Sequence, residues 1–356
     1  MQETVKQVIK KIKSSERTLL LSHVMPDGDN IGSLLGLYNS LKASGYNVTA
    51  ANHDPVPRNF SYLPNSDKIK KLADINEKYD LLIVLDSSSV ERAGAKDLSQ
   101  YSDFVINIDH HVSNDNFGDL NIVYTDYSST VQIVYELIKK ARIRLDSNVA
   151  SCLYCGLMTD TVGFQTASTN ESVFKMAAHL VALGASPNVT SREIFQNKSR
   201  ASVIISGKTL SSLNFMNDGM ICWSKVEQKT IKEANGGPGD SFGVVNQMLG
   251  IRGVEVAVVF HEQPENKVIL DFRSKSIIDV NRIATHFGGG GHLRASGATV
   301  VGELNKVISE VMNFILDYIK TNYQVKETKG KSSIESIGSC KPKSTKTPAV
   351  GESLGI

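Results

Sequence analysis

"TLLLSHVMPDGDNIGSLLGLYNSLKASG", residues 18–45, decides how the first half of this chain is read. It opens on an apolar run, 18–22, with the length and composition of a buried strand. It passes through a turn that holds one histidine and two aspartates, His23, Asp27 and Asp29, around Pro26 and Gly28. It then shows helical periodicity over 31–43, closed by Gly45 in the position where helices stop on a left-handed residue. Strand, acidic turn and helix in that order are the repeating unit of an α/β fold. Taken alone, the turn has two plainer readings. Pro, Asp, Gly and Asn are turn formers, and alternating Asp with Gly and Asn also suits a calcium loop.

The unit recurs. "YNVTAAN" (46–52), "DLLIVLD" (80–86) and "FVINID" (104–109) are further strand signals. The last two are nearly continuous apolar runs, as expected for parallel strands buried on both faces. Residues 129–142 and 147–159 read as helices with serine caps. The expectation is a doubly wound parallel sheet over 1–185. A polar, helical stretch at 186–215 reads as a connector. A smaller α/β unit follows over 216–323. Its strands are "GMICWSKV" and "VEVAVVFHEQPENKVILDFRS", the latter folded at "EQPENK", and helices are expected over 279–287 and 304–323. Beyond 324 the sequence is Lys, Ser, Thr and Gly with little apolar content, and it reads as a disordered tail.

Composition narrows the function. Hydrophobic residues make up 41% and the formal net charge is +2, so a broadly basic nucleic-acid coat is excluded and any such contact is local. Four cysteines form no disulfide framework, and "CLYC" (152–155) sits in an apolar helical stretch as core. No apolar run reaches the roughly 20 residues that span a bilayer. A cytoplasmic protein is expected, with no membrane partner.

The acids lie at the ends of the strands. His23 follows the first strand, Asp86 ends "LLIVLD", Asp109, His110 and His111 close "FVINIDHH", and Asp160 follows the helix at 147–159. Singly, each has an ordinary role: Asp86 or Asp160 as a helix cap, His110 and His111 as a turn pair. Together they send carboxylates and imidazoles from four segments to the carboxyl edge of one sheet, where ligands of open α/β sheets bind. So many carboxylates repel one another unless cations neutralise them. His and Asp donors without Cys suit manganese or another octahedral ion, and the number of acids suits two metals.

These same segments carry a resemblance. "HVMPDGDNIGS", "LLIVLDSS", "DHH" and "GLMTDTVGF" occur in the order and spacing of the DHH phosphoesterase superfamily, and "FRSKS" with "FGGGGHLRASGA" resembles its associated C-terminal domain. The set is most similar to the RecJ-like soluble subgroup that includes nano-RNases of the NrnA type. The resemblance implies a hydrolase that degrades short single-stranded RNA or DNA oligonucleotides and removes phosphate from pAp. It implies two divalent ions, Mn²⁺ with Mg²⁺ or Co²⁺ as substitutes. One would sit on His23, Asp27 and Asp86, the other on Asp29, Asp86, His110 and Asp160, with Asp86 as the bridge. His111 would face the substrate and Asp109 would orient an imidazole. The rivals are a cyclic-di-AMP or pApA phosphodiesterase, a manganese pyrophosphatase or exopolyphosphatase, and a catalytically silent RNA-binding module. A homodimer is compatible with all of these.

In the second unit, Gly289, Gly290 and Gly291 expose backbone N–H groups that can wrap an anion, above all at the head of a following helix, or they form a plain hinge. Arg273, His292 and Arg294 favour phosphate, with Ser274 beside them, because guanidinium matches phosphate oxygens. Arg273 has a competing reading as the ion-pair partner of Asp271 or Asp279. The second unit would hold one end of the substrate, and the connector would let the units close on it.

Overall fold

The computed structural model describes residues 2–328 and 331–336. The chain divides into two compact units, one running to Ser199 and the other starting at Arg200. The division falls inside the stretch read as a connector.

The first unit is a six-stranded sheet in the order β3-β2-β1-β4-β5-β6. Its strands are β1 (Thr18–Ser22), β2 (Val48–Asn52), β3 (Lys70–Lys71), β4 (Leu81–Leu85), β5 (Val105–Asp109) and β6 (Leu120–Val123). All five pairings are parallel. The order reverses between β1 and β4, so the crevice beyond their carboxyl ends is the topological switch point. The helices are α1 (Gln2–Ser14), α2 (Gly28–Ala43), α3 (Thr130–Ala141), α4 (Ser147–Asp160), α5 (Glu171–Ala182) and α6 (Pro187–Ser191). Alternation along the strands splits the core in two. Leu20, Ile83 and Ile108 pack with α1 to α5 on one face. Leu19, Leu21, Leu82 and Val84 pack on the other against loop residues such as Leu72, Ala93 and Leu98. Cys152 and Cys155 are buried in α4, as core.

Three local expectations change. Helix α2 starts at Gly28, not 31, because the Asp27 side chain accepts from Asn30 N and caps it. Helix α4 is capped by Asp146 rather than by serine. Ser129 occupies the cap position of α3 but its hydroxyl makes no capping bond. The buried Asp29 carboxylate takes that place, accepting from Thr130 N at 2.6 Å and Val131 N at 2.9 Å.

The second unit is a mixed six-stranded sheet, β11-β12-β10-β9-β8-β7. It comprises α7 (Arg200–Leu210), β7 (Asn214–Met216), β8 (Ile221–Val226), α8 (Gln228–Glu233), α9 (Val244–Leu249), β9 (Val256–Gln263), β10 (Lys267–Ser274), α10 (Val280–His286), β11 (Gly290–His292), β12 (Ala295–Val301) and α11 (Leu304–Asn322). The expected hairpin joins β9 to β10, with Glu265 and Asn266 left-handed in its turn. Helix α11 packs Val311 and Ile315 on one face of the sheet, with Phe260 and Phe272. The other face meets α7 and α9 through Ile205 and Met248. The start of the stretch read as disordered pairs instead: β13 (Tyr323–Thr328) and β14 (Lys331–Ser336) form a two-stranded antiparallel ribbon. Alternating Val325 and Ile334 with polar residues is a strand pattern. The rest of that stretch lies outside the described residues.

Candidate metal centre

Close packing of two helices brings the acids to one place. Gly32 of α2 faces α4, and a Cβ there would lie 2.7 Å from Cys152 O and 3.0 Å from Gly156 N. Such an approach is open only to glycine. It sets Asp29, in the first turn of α2, beside Asp160, the last residue of α4. Asp160 therefore ends a helix rather than following or capping one.

Asp86 lies at the centre. It sits one residue past β4, nearly fully buried, with a left-handed backbone at φ 56°. Its two oxygens face different partners. Oδ2 is 3.4 Å from His23 Nε2, while Oδ1 is 3.8 Å from His110 Nε2 and 3.7 Å from His111 Nδ1. His23 Nε2 also lies 3.9 Å from Asp27. His110 Nε2 lies 3.2 Å from Asp160 and 3.6 Å from Asp29. Among the described residues, donor atoms of His23, Asp27 and Asp86 all fall within 4.8 Å of one another, and so do those of Asp29, Asp86 and His110. Asp109 and His111 form a pair against Asp86, with His111 Nδ1 donating to Asp109 Oδ1 at 2.7 Å. Asp109 also accepts from His110 N and from Asn114 Nδ2.

The electrostatics match that crowding. Burial, then the charges of Asp86 and Asp160, hold the Asp29 carboxyl well above its usual range. Burial also raises Asp160 against the pull of His110. Burial disfavours charge on His110 as well, but the hydrogen bond to Asp160 together with the charges of Asp160, Asp29 and Asp86 outweighs it, and the imidazole is raised well above its ordinary value. Asp86 is lowered despite its burial, because His23, His111 and His110 surround it. A cavity that must otherwise neutralise several buried carboxylates with protons and imidazolium is a fit for divalent cations. The donors, all imidazole and carboxylate, are those of a metal site, and they can hold such ions.

Sequence reading missed three neighbours. Thr130 Oγ1 donates to Asp86 Oδ1 at 2.8 Å. Asn114 anchors Asp109. The Arg92 guanidinium lies 3.4 Å from His23 Nδ1. "SST" before an apolar run marks Thr130 only as a helix start, and nothing local marks the other two.

In the second unit Arg273 donates to Asp271 at 2.6 Å and to Phe272 O, the competing arrangement named above. Ser274 is buried and its hydroxyl donates to Ile278 O. Arg294 donates to the same carbonyl at 2.7 Å. The glycine run does not head a helix. It follows α10, and Gly290–His292 is a strand paired with Ala295–Gly297. Its glycines are explained by contact with β12: a Cβ on Gly289 would collide with Gly297 O, and one on Gly291 would lie 2.6 Å from Ala295 O. His292 is half-buried on β11.

Comparison with known proteins agrees with this architecture. The DHH family N-terminal domain matches residues 17–157, and the DHHA1 domain matches 223–321. The chain is 31% identical over 316 residues to the bifunctional oligoribonuclease and PAP phosphatase NrnA of Thermus thermophilus, covering 88% of this chain and 94% of that protein. It is 27% identical to the Bacillus subtilis protein of the same description, over 86% and 96% of the two chains. The solved structure of an exopolyphosphatase-related protein from Bacteroides fragilis superposes with a TM-score of 0.81 at 27% identity, covering 90% and 97%. RecJ from Thermus thermophilus in complex with Mn²⁺ shares the fold at a TM-score of 0.51 and 13% identity, over 90% of this chain and 54% of that one.

Proposed function

The chain belongs to the DHH phosphoesterase family and is a hydrolase; from that premise we propose that it cuts short oligonucleotides to mononucleotides and removes the 3′-phosphate of pAp to leave AMP. The observation that carries the metal reading is Asp86, whose two oxygens address two separate sets of His and Asp. His23, Asp27 and Asp86 would hold one divalent ion, and Asp29, Asp86, His110 and Asp160 a second, with Mn²⁺ the favoured species. When bound, such ions acidify a water and neutralise charge on the phosphoryl oxygens.

The chain's own residues do the rest. Thr130 fixes the orientation of Asp86, and the N-terminus of α3 fixes Asp29. Asp109 accepts from His111 Nδ1–H, so Nε2 is the nitrogen that hands a proton to the leaving oxygen. Arg92 lies on the Nδ1 side of His23, opposite the Nε2 that faces Asp27 and Asp86, and would steady that ring. In the second unit Arg273, His292 and the backbone of Gly289, Gly290 and Gly291 would bind the nucleotide's other phosphate, Arg273 sharing its guanidinium with Asp271. Ser274 and Arg294 act at one remove, tying Ile278 in place.

The name NrnA on relatives that cover most of this chain supports the nanoRNA and pAp substrates. The test is turnover with Mn²⁺ on a dinucleotide, a five-mer, a long single strand, pAp, pApA, cyclic di-AMP and pyrophosphate. The expected result is the highest kcat/KM on two to five nucleotides, with pAp also cleaved. Preference for the cyclic compound, or phosphate release from pyrophosphate alone, would overturn it.

A further inference from the structure

Three of the four segments that bring an acid or imidazole to the rim also expose a large apolar side chain beside it. Met25, between His23 and Asp27, is 56% exposed; Val112, next to His111, is 55%; Val162, two residues past Asp160, is 37%. Phe195 is 39% exposed, and a Cβ on Gly163 would lie 3.8 Å from its ring. The polar members of these segments are linked pairwise at 3.2–3.9 Å through His23, His110, His111 and Asp86, and the exposed Met25, Val112 and Val162, one or two positions along the chain from them, border the same rim.

The backbone beneath them is held against its preference. Val162, Gly163 and Phe164 are left-handed in succession, at φ 49°, 69° and 67°. For a β-branched valine this is a true outlier. It is fixed by Val162 N to Thr159 O, by Phe164 N to Thr161 Oγ1, and by Phe164 stacked on Phe174 at 5.4 Å. Met25 is left-handed too, at φ 53°, with its N–H on Asp54. Phe195 projects from a π-helical turn, Arg192–Gln196. Strained backbone and π-turns concentrate at functional sites.

We propose that Met25, Val112, Val162 and Phe195 form an apolar collar that holds the nucleobase next to the scissile phosphate, with Phe195 as the stacking surface and Val162 setting its position. The proposal rests on the phosphoesterase reading above and adds the residues that select an organic leaving group. Pyrophosphate and polyphosphate have no apolar surface, and a rim made for them would place Lys and Arg at these positions. A base offers a π-face to any ring, whatever its sequence.

The full-length protein with Mn²⁺ is assayed on the dinucleotide ApA and on two analogues, each lacking one base. In the wild type one abasic analogue has a lower kcat/KM than ApA by about tenfold or more, in line with the loss of one stacked base. In Phe195→Ala the ratio of ApA to that analogue falls towards one, mostly through KM, and Phe195→Trp restores it. Met25→Ala, at an exposed position, lowers the same ratio by a smaller factor. A ratio that stays at the wild-type value in all three variants, even where both rates drop together, overturns the collar: the side chains then serve only packing. Equal wild-type rates on ApA and both analogues overturn it as well, while leaving the phosphoesterase reading intact. Wild-type protein that cleaves none of the three removes that reading and the collar with it.

Discussion

Asp29 and Asp86 are both buried carboxylates at the rim, yet they are held in different ways. Asp29 is bound by two backbone N–H groups of α3, so it caps a helix that begins a hundred residues later. Asp86 is bound by side chains, Thr130 and the surrounding imidazoles. The consequences of removing them differ accordingly. Asp86→Ala is expected to lower turnover by on the order of a thousandfold, because a bridging ligand serves both ions, and to abolish the rise in melting temperature that Mn²⁺ produces. Full activity after exhaustive chelation, or an unimpaired Asp86→Ala protein, would rule out the two-metal proposal. Asp29→Ala is expected to lose activity as well. In chelated protein it should also cost about 1–2 kcal/mol in urea unfolding, the usual loss for a helix cap. An Asp29→Ala protein as stable as wild type would show that the cap carries no weight.

At the scale of the element, the crossing of α2 and α4 sets the geometry of the site. Gly32→Ala puts a methyl group against the backbone of α4 at Cys152 and Gly156. The helices must part, and overpacking of this kind costs about 1–3 kcal/mol. The expected signature is a lower Tm together with weaker Mn²⁺ binding by calorimetry, since Asp29 and Asp160 move apart. Unchanged Mn²⁺ affinity would separate packing from the site. In the second unit, β9 carries His261, fully buried, with Nδ1 on Ser241 and the Phe242 ring 4.7 Å away. Burial pushes its pKa down from 6.5 to about 4. The folded state therefore favours the neutral ring. The stabilisation is present above pH 6.5 and is lost as pH falls from there towards 4, by up to about 3 kcal/mol. Unfolding followed between pH 7 and pH 4 should show that slope in the wild type and a shallower one in His261→Phe. Equal slopes would place the titration elsewhere.

At the scale of the molecule, the two units have separate cores. All the proposed metal donors belong to the first. A fragment of residues 1–199 is expected to fold and to gain thermal stability with Mn²⁺, while its KM for a dinucleotide rises by tenfold or more for want of the second unit's phosphate contacts. A fragment that folds but ignores Mn²⁺ would contradict the assignment of the site to the first unit alone. Among the described residues no helix is long and apolar enough to cross a membrane.

What was readable without coordinates follows from short-range physics. Buried parallel strands must be continuous apolar runs, so "LLIVL" and "VINI" announce the sheet, and the acids that follow them fall at its carboxyl edge by the logic of the α/β turn. Helix periods over 304–323 and the β9–β10 hairpin were equally local. What the sequence could not disclose are relations between residues far apart or dependent on direction. Asp29 as the cap of α3, Thr130 on Asp86 and Arg92 beside His23 join segments 44 to 101 residues apart. The glycines at 288–291 show the same limit. Their composition suits an anion loop, a hinge or a tight strand, and only the approach of β12 selects the strand, because a Cβ at Gly289 or Gly291 would meet the backbone of β12. Local composition determined which elements form and which chemistry lies at their ends, while tertiary packing decided which oxygen faces which imidazole.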